Sequence, residues 1–291
     1  MTAKCNLIID SCCDLPLEMV QRDDFGVSMP AKEFYDRMRK GNFPTTSQIS
    51  IPAYTEVFER AAQSGIPTVY LSFSSALSGS YNVSLLVRDQ LHEKYPEMQL
   101  HIVDTKLASV AEGALVYEAL RQRDAGLTAE ELVEWAEEAR YFLNMMFMVD
   151  DLESLRRGGR IPDGVAAAGA KLDVKPMLTI DLEGKLTLKG VARGRKKGIR
   201  QLAQFYLDKV SQDGPSGAIV TGNADCPKDL ERMHELIAKE QEDAMFLDLH
   251  VGPVIGTHVG PGMIAIVFWG QDRREDLSVA DRIARKIKGG A

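Results

Sequence analysis

Pro67-Thr68-Val69-Tyr70-Leu71 runs directly into Ser72-Phe73-Ser74-Ser75-Ala76-Leu77-Ser78-Gly79-Ser80-Tyr81, and the reading of this stretch decides the fold. The first five residues are β-rich and bounded by turn formers, the pattern of a buried strand. From Tyr81 to Tyr95 the apolar residues Tyr81, Leu85, Val87 and Leu91 are spaced for a helix. Five serine hydroxyls therefore sit in a strand-to-helix turn. Such a turn opens at the carboxyl edge of a parallel strand, where α/β folds bind ligands. A helix starting near Gly79 offers free N–H groups and the positive end of its dipole, and Gly79 lets a ligand approach the backbone. Hydroxyls and amides without Lys or Arg among them suit a carboxylate or another small anion. A plainer reading has Ser78 or Ser80 capping the helix, and an anion could share that cap.

Upstream, Cys5–Ile9 reads as the first strand, ending in Asp10-Ser11-Cys12-Cys13-Asp14-Leu15-Pro16. This is not the phosphatase nucleophile pattern, which has a second Asp where Cys12 stands. A helix is expected from Leu15 to about Arg22, and another from Ala31 to Lys40 with Pro30 at its start and Gly41 past its end. Phe43-Pro44-Thr45-Thr46-Ser47-Gln48-Ile49-Ser50 forms a second hydroxyl cluster before a helix over Pro52–Ser64. Ser50 suffices as its cap; Thr45, Thr46 and Ser47 need another reason. Downstream come a strand over Gln99–Val103, a helix over Leu107–Arg123 stopped by Gly126, and a capping-box start at Thr128-Ala129-Glu130-Glu131. Met145–Val149 reads as a further strand of the same sheet. This alternation predicts a parallel sheet sandwiched by helices.

From Asp150 the pattern changes. A short helix over Leu152–Arg157 ends in Gly158-Gly159, followed by Arg160, and an Ala-rich helix is expected over Val165–Leu172. Val174–Ile180 and Lys185–Val191 read as a hairpin around Asp181-Leu182-Glu183-Gly184. Arg193-Gly194-Arg195-Lys196-Lys197 then opens a helix, placing basic residues where the helix dipole opposes them. Strands are expected at Gly217–Thr221, Ala244–Leu249 and Met263–Trp269, with a helix at Pro227–Glu240 and the stretch His250–Gly262 leading into the last strand. Leu277, Ala280, Ile283 and Ile287 space a final amphipathic helix. The expected fold class is α/β in two domains: residues 1–155 with a parallel sheet between helices, and residues 156–291 as an α+β domain, with the ligand site between them.

Composition narrows the function classes. The chain has 291 residues, 45% hydrophobic and 26% charged, with a net charge of −7, which argues against a nucleic-acid partner. The apolar runs are too short to span a bilayer and the N-terminus carries no signal pattern, so a cytoplasmic protein without membrane insertion is expected. The four cysteines form no Cys-x-x-Cys pair, which indicates neither a metal site nor a disulfide framework. No P-loop motif and no Gly-x-Ser-x-Gly elbow occurs.

Six blocks in order resemble the DegV family of bacterial lipid-binding proteins: Asp10-Ser11…Asp14-Leu15-Pro16, Pro44-Thr45-Thr46-Ser47-Gln48, Ser74-Ser75…Leu77-Ser78-Gly79-Ser80-Tyr81, Gly158-Gly159-Arg160-Ile161, Lys175-Pro176…Ala192-Arg193, and Ile255-Gly256…His258…Gly260-Pro261-Gly262. The resemblance implies one long-chain fatty acid between two domains, presented to a separate ATP-dependent kinase that forms the acyl phosphate. It implies a carrier subunit, not an enzyme, with no cofactor other than the bound lipid. The carboxylate is then expected at Thr46 and Ser78, beside Ser47 and Gly79, with His258 nearby and acting through water. Arg160 and Arg193 are expected at the kinase-docking surface or the mouth of the site. The sequence departs from the family pattern at Ile49, at Cys12 and Cys13, and between Val20 and Asp23, where a further strand and turn are usual. The alternative reading is a serine hydrolase or esterase using Ser78 and His258.

Overall fold

The strand ahead of the serine-rich turn is β2 (Thr68–Ser72), and all five of its residues are buried. Its neighbours β1 (Asn6–Ile9) and β3 (Leu100–Asp104) pair with it in parallel, giving three strands of this sheet among the described residues. In this computed structural model the described residues are 3–16, 19, 29–163, 174–210 and 217–276. The helix expected over Leu15–Arg22, the Val20–Asp23 junction, the Ala-rich segment over Val165–Leu172 and the final amphipathic helix lie wholly or largely outside them.

A central strand buried on both faces needs cover on both. Helices α2 (Ile51–Ser64) and α3 (Ser80–Lys94) supply one side, with Tyr54, Phe58, Val87 and Leu91 packed around Tyr70. Helices α4 (Ser109–Ala125) and α5 (Ala129–Ala139) cover the other, where Leu115 and Leu132 share a core with Val69, Leu71 and Val103. Their ends follow local chemistry. The Ser50 hydroxyl accepts the Ala53 N–H at 3.4 Å, Gly65 closes α2 in the left-handed region, and Thr128 and Glu131 form a reciprocal capping box. The first helix, α1 (Ala31–Arg39), buries Phe34, Tyr35 and Met38.

Among the described residues the second sheet has six strands: β4 (Leu143–Met148), β5 (Val174–Ile180), β6 (Leu186–Arg193), β7 (Ala218–Asn223), β8 (Met245–His250) and β9 (Ile264–Trp269). Their order is β6-β5-β4-β9-β7-β8, and only β7 and β8 run parallel. This corrects the expectation for Met145–Val149. The strand joins no parallel partner; it lies antiparallel between β5 and β9. A run apolar on both faces fits the middle of either sheet, so its pattern carried no information about its neighbours.

Side chains alternate across this sheet. Ala265 and Val267 face the core shared with α4 and α5, whereas Ile264, Ile266 and Phe268 face a second core. That outer core is closed by α7 (Arg195–Lys209) and α8 (Pro227–Ala238), through Ile199, Leu202, Leu230 and Met233. Two short helices follow different strands: α6 (Glu153–Arg157) and α9 (Pro253–Val259). The second lies in the stretch His250–Gly262, to which the sequence assigned no element; Pro253 at the first helical position is the signal for it. The basic start of α7 is also explained. Arg195 is held by Asp229 at 2.5 Å, Asp150 at 2.9 Å and the Gly262 carbonyl at 2.7 Å. Among the described residues no helix is long and apolar enough to cross a membrane.

The layers therefore run helix, parallel sheet, α4–α5, mixed sheet, helix. The middle layer leaves little slack, since a Cβ on Gly113 of α4 would stand 2.3 Å from the carbonyl oxygen of Cys13. An alanine in an exposed helix interior is worth up to about 1 kcal/mol over glycine. Gly113→Ala is expected to reverse that sign and destabilise by about 1–3 kcal/mol, read as a lower urea midpoint. A midpoint equal to or above that of the unaltered chain would show that α4 does not lie this close.

Candidate functional site

The two hydroxyl-bearing loops meet at the start of α3. The Gln48 side chain lies across Gly79, where a Cβ would stand 2.6 Å from its Oε1. The Ile49 N–H donates to Ser80 Oγ at 3.4 Å. A larger residue at Gly79 would have to displace the Gln48 amide where one loop crosses the other. No side chain caps α3 at Gly79; instead the Ser80 N–H donates to Ser78 Oγ at 3.2 Å, and Ser78 Oγ donates to Ser80 Oγ at 3.0 Å.

The other serines of the turn have structural partners. Ser74 Oγ donates to the Gly184 carbonyl at 2.8 Å, latching the turn to the β5–β6 hairpin of the other sheet. Ser75 Oγ donates to Asp104 at 2.6 Å. Ser72 Oγ donates to the Phe73 carbonyl at 3.2 Å. Only Ser78 and Ser80 of the five turn toward the space behind the loops.

That space is a cavity of about 220 Å³ between the two sheets. Thr46, Ser47, Ser78, Gly79, Arg160 and His258 line it, together with Phe73, Leu77, Val110, Met145, Phe147, Ile180 and Val267. The polar groups come from the two loops, the α6 end and α9; the apolar ones come from the β2–α3 turn, the mixed sheet and α4. Five of the expected carboxylate-site residues, with Arg160, therefore share one cavity. Arg193 is not among its lining residues and stands exposed at the end of β6.

His258 is fixed by geometry and burial. Its Nε2 lies 2.9 Å from Thr46 Oγ1, joining α9 to the first loop. Its Nδ1 is buried without a hydrogen-bond partner, against Gly158, where a Cβ would stand 2.1 Å away. Burial, and then the charge of Arg160, push the imidazole pKa down to about 4, so the ring is neutral at physiological pH. Arg160 donates from Nε to the Leu77 carbonyl at 3.1 Å and from Nη1 to the Gly158 carbonyl at 2.6 Å. No hydrogen bond joins Ser78 to His258 among the described residues.

Beneath the loops lies a buried acidic floor, of which the sequence marked Asp10 as part of a strand-end block and did not mark Glu112. Asp10 accepts from the Cys12 N–H at 2.9 Å, the Phe73 N–H at 2.8 Å and the Tyr70 hydroxyl at 3.2 Å. Tyr54 and Tyr70 hydroxyls lie 3.0 Å apart, and burial pushes the Tyr54 phenol up to about 12. Glu112, on α4, is 0% exposed and neither carboxylate oxygen has a hydrogen-bond partner. Burial, with Asp10 adding to it, holds its carboxyl well above the ordinary carboxylate range. The available signal was a lone acid inside Val110-Ala111-Glu112-Gly113-Ala114-Leu115-Val116. Cys12 also lines the cavity, its thiol pushed well up by burial and then by Asp10. Among the described residues no group of three or more His, Cys, Asp or Glu side chains is arranged to hold a metal ion.

Comparison with known proteins agrees with this architecture. The family model described as "Uncharacterised protein, DegV family" matches residues 4–271. A DegV domain-containing protein of Clostridium perfringens is 36% identical, over 92% of this chain and 98% of its own length. A DegV lipid-binding protein from Thermotoga maritima has a crystal structure that superposes with a TM-score of 0.77 at 25% identity, covering 93% of this chain and 99% of that one. The fold is shared too with a Streptococcus pneumoniae fatty acid kinase (Fak) B3 protein loaded with linoleic acid, at TM-score 0.77 and 19% identity, covering 91% and 99% of the two chains. The chain is a member of the DegV family.

The buried acid gives a pH signature. Its folded pKa is raised above an unfolded value of about 4.3, so its favourable contribution is complete below that value and is lost as pH rises toward the folded pKa. Glu112→Gln cannot ionise. Relative to the unaltered chain, its melting temperature is expected to rise as pH increases from about 4 toward the folded pKa, apart from any constant offset from the amide. A difference that stays flat over that range would show that Glu112 ionises freely in the folded protein.

Proposed function

We propose that this protein binds one long-chain fatty acid, tail in the inter-sheet cavity and carboxylate at its polar end, and presents it to a separate ATP-dependent kinase for acyl-phosphate formation. The observation that carries this reading is the cavity itself: largely apolar, and ending where two hydroxyl-bearing loops cross. The lipid-binding relative from Thermotoga maritima and the linoleic-acid-loaded Fak B3 protein support the ligand class, and the latter supports a kinase partner.

Magnitudes divide the work between the two ends of the ligand. Burying methylenes contributes about 0.8 kcal/mol each, so a long tail gains on the order of 10 kcal/mol before ordering costs. Charge-assisted hydrogen bonds from Thr46 and Ser78 add roughly 1.5–3 kcal/mol each. The tail supplies most of the affinity; the hydroxyls, with the Ser47 side chain and the amides around Gly79, decide which end sits where. With its proton on Nε2, neutral His258 donates to Thr46 Oγ1 and leaves the Thr46 O–H free to donate to the carboxylate. The carboxylate then has no fixed salt bridge, and its oxygens stay reachable by a transferring enzyme. The exposed Arg193 is assigned to kinase docking, Arg160 to the mouth of the site, and the cytoplasm is the compartment where lipid and kinase meet.

The hydrolase alternative has less behind it. A nucleophile and its base need a hydrogen bond between them, and here Ser78 bonds to Ser80 while His258 bonds to Thr46.

Mass spectrometry of lipid retained through purification tests the reading. A long-chain fatty acid at close to one per chain is expected. The double variant Thr46→Val/Ser78→Ala should bind palmitate about 10- to 100-fold more weakly. Equal affinity in both proteins would remove the carboxylate assignment, and turnover of esterase substrates would favour the hydrolase.

A further inference from the structure

A file of hydroxyls leads from Ser78 to the buried acids. Ser78 Oγ lies 3.0 Å from Ser80 Oγ, and the Ser80 hydroxyl is in turn a hydrogen-bond neighbour of the Tyr54 phenol. The Tyr54 and Tyr70 oxygens are 3.0 Å apart, and the Tyr70 hydroxyl reaches Asp10 Oδ2 at 3.2 Å. Beyond Asp10 stands Glu112, with no donor beside either oxygen and the Asp10 carboxyl as its side-chain neighbour. Two carboxyls so placed bond to each other only when one keeps a proton. Burial raises the Asp10 carboxyl as well, but two backbone N–H groups and a phenol oppose that, and no such donor serves Glu112. The proton of the pair therefore sits on Glu112.

Each hydroxyl of the file has one proton to give. With Asp10 ionised at the far end, the file points toward it: Ser78 gives to Ser80, Ser80 to Tyr54, Tyr54 to Tyr70 and Tyr70 to Asp10. In that direction Ser78 has no proton left for a carboxylate in the cavity. Turned the other way, every link survives. Ser80 gives to Ser78, Tyr54 to Ser80 and Tyr70 to Tyr54, and Ser78 is free to donate to the ligand. The loss falls on Asp10, which surrenders its phenol donor while buried, and that is costly unless another donor takes its place. The Cys12 thiol beside Asp10 is only a weak one.

We infer that Glu112 is a positioning residue for the bound carboxylate: its O–H supplies Asp10 when the file turns toward the ligand, and so lets Ser78 donate to it. The inference rests on the fatty-acid reading above and deepens it, because it names the group that sets the direction of Ser78. No proton changes owner; each hydroxyl swings about its C–O bond. An alcohol head group makes a different demand. It brings its own proton, donates to Ser78 Oγ and leaves the file pointing toward Asp10. A carboxylate and an alcohol of equal chain length therefore separate the directional role of Glu112 from any role in holding the fold.

Palmitate and hexadecanol, titrated against the delipidated full-length chain, are the probes. Glu112→Leu is expected to weaken palmitate about 10-fold and hexadecanol by no more than about 3-fold. Glu112→Gln keeps an N–H for Asp10 and should hold both ligands within about 3-fold of the unaltered chain. Tyr70→Phe cuts the file from Asp10, so adding Glu112→Leu to it should cost palmitate no more than hexadecanol. Should Glu112→Leu fail to melt cooperatively, Glu112→Met supplies the same comparison. Equal losses for the two ligands, no loss of palmitate, a loss in Glu112→Gln as large as in Glu112→Leu, or a loss undiminished in the Tyr70→Phe background would overturn the inference and leave the fatty-acid reading standing. An unaltered chain that does not bind palmitate would remove both.

Discussion

The buried carboxylate of Asp14 ties together elements that carry the site. It is 3% exposed, accepts the Ser109 hydroxyl at 2.6 Å and accepts the Gly252 N–H at 2.9 Å. One acid thereby ties the end of β1 to the start of α4 and to the start of α9, the helix that carries His258. Asp10, four residues earlier, holds the β2–α3 turn through Phe73 N–H. Buried carboxylates are costly unless their lone pairs are met, so these partners cannot drift without a large penalty. Asp14 and Ser109 both have φ values in the left-handed region, 53° and 56°. Residues other than glycine adopt it at a cost of order 1–3 kcal/mol. The strain sits beside the cavity and is stabilised by the same hydrogen bonds.

What could be read from the residues was mostly local. Ser50, Gly65, Gly126 and the Thr128–Glu131 box each mark a helix end through a bond or dihedral that a few neighbours determine. The hairpin around Asp181–Gly184 was legible for the same reason. Sheet membership was not. Leu143–Met148 is apolar on both faces in either sheet, and its pairing with β9 spans more than a hundred residues of sequence, for which no local pattern exists. The helix at Pro253–Val259 hid behind its glycines, although Pro253 opens it.

The polar end of the cavity was legible as a surplus of hydroxyls, more than capping needs, and two loops with that surplus do meet. The assignment was coarser than the geometry. Ser74 and Ser75 spend their hydroxyls on Gly184 and Asp104, so part of the surplus is structural. The Gln48–Gly79 crossing and the His258–Thr46 bond depend on where distant segments pack, and only the family resemblance pointed to His258. Glu112 passed unnoticed because helical spacing alone does not tell whether a single acid points outward.

The neutral state of the interior has a consequence for how contents are told apart. Behind the lining Glu112 keeps its proton, within it His258 declines one and Asp10 is met by two backbone N–H groups and a phenol, so among the described residues the cation of the chamber is the guanidinium at its rim. A guest bearing charge at one end would import its own polarity and settle head to rim. A wholly neutral hydrocarbon would meet no such compass and could lie either way round.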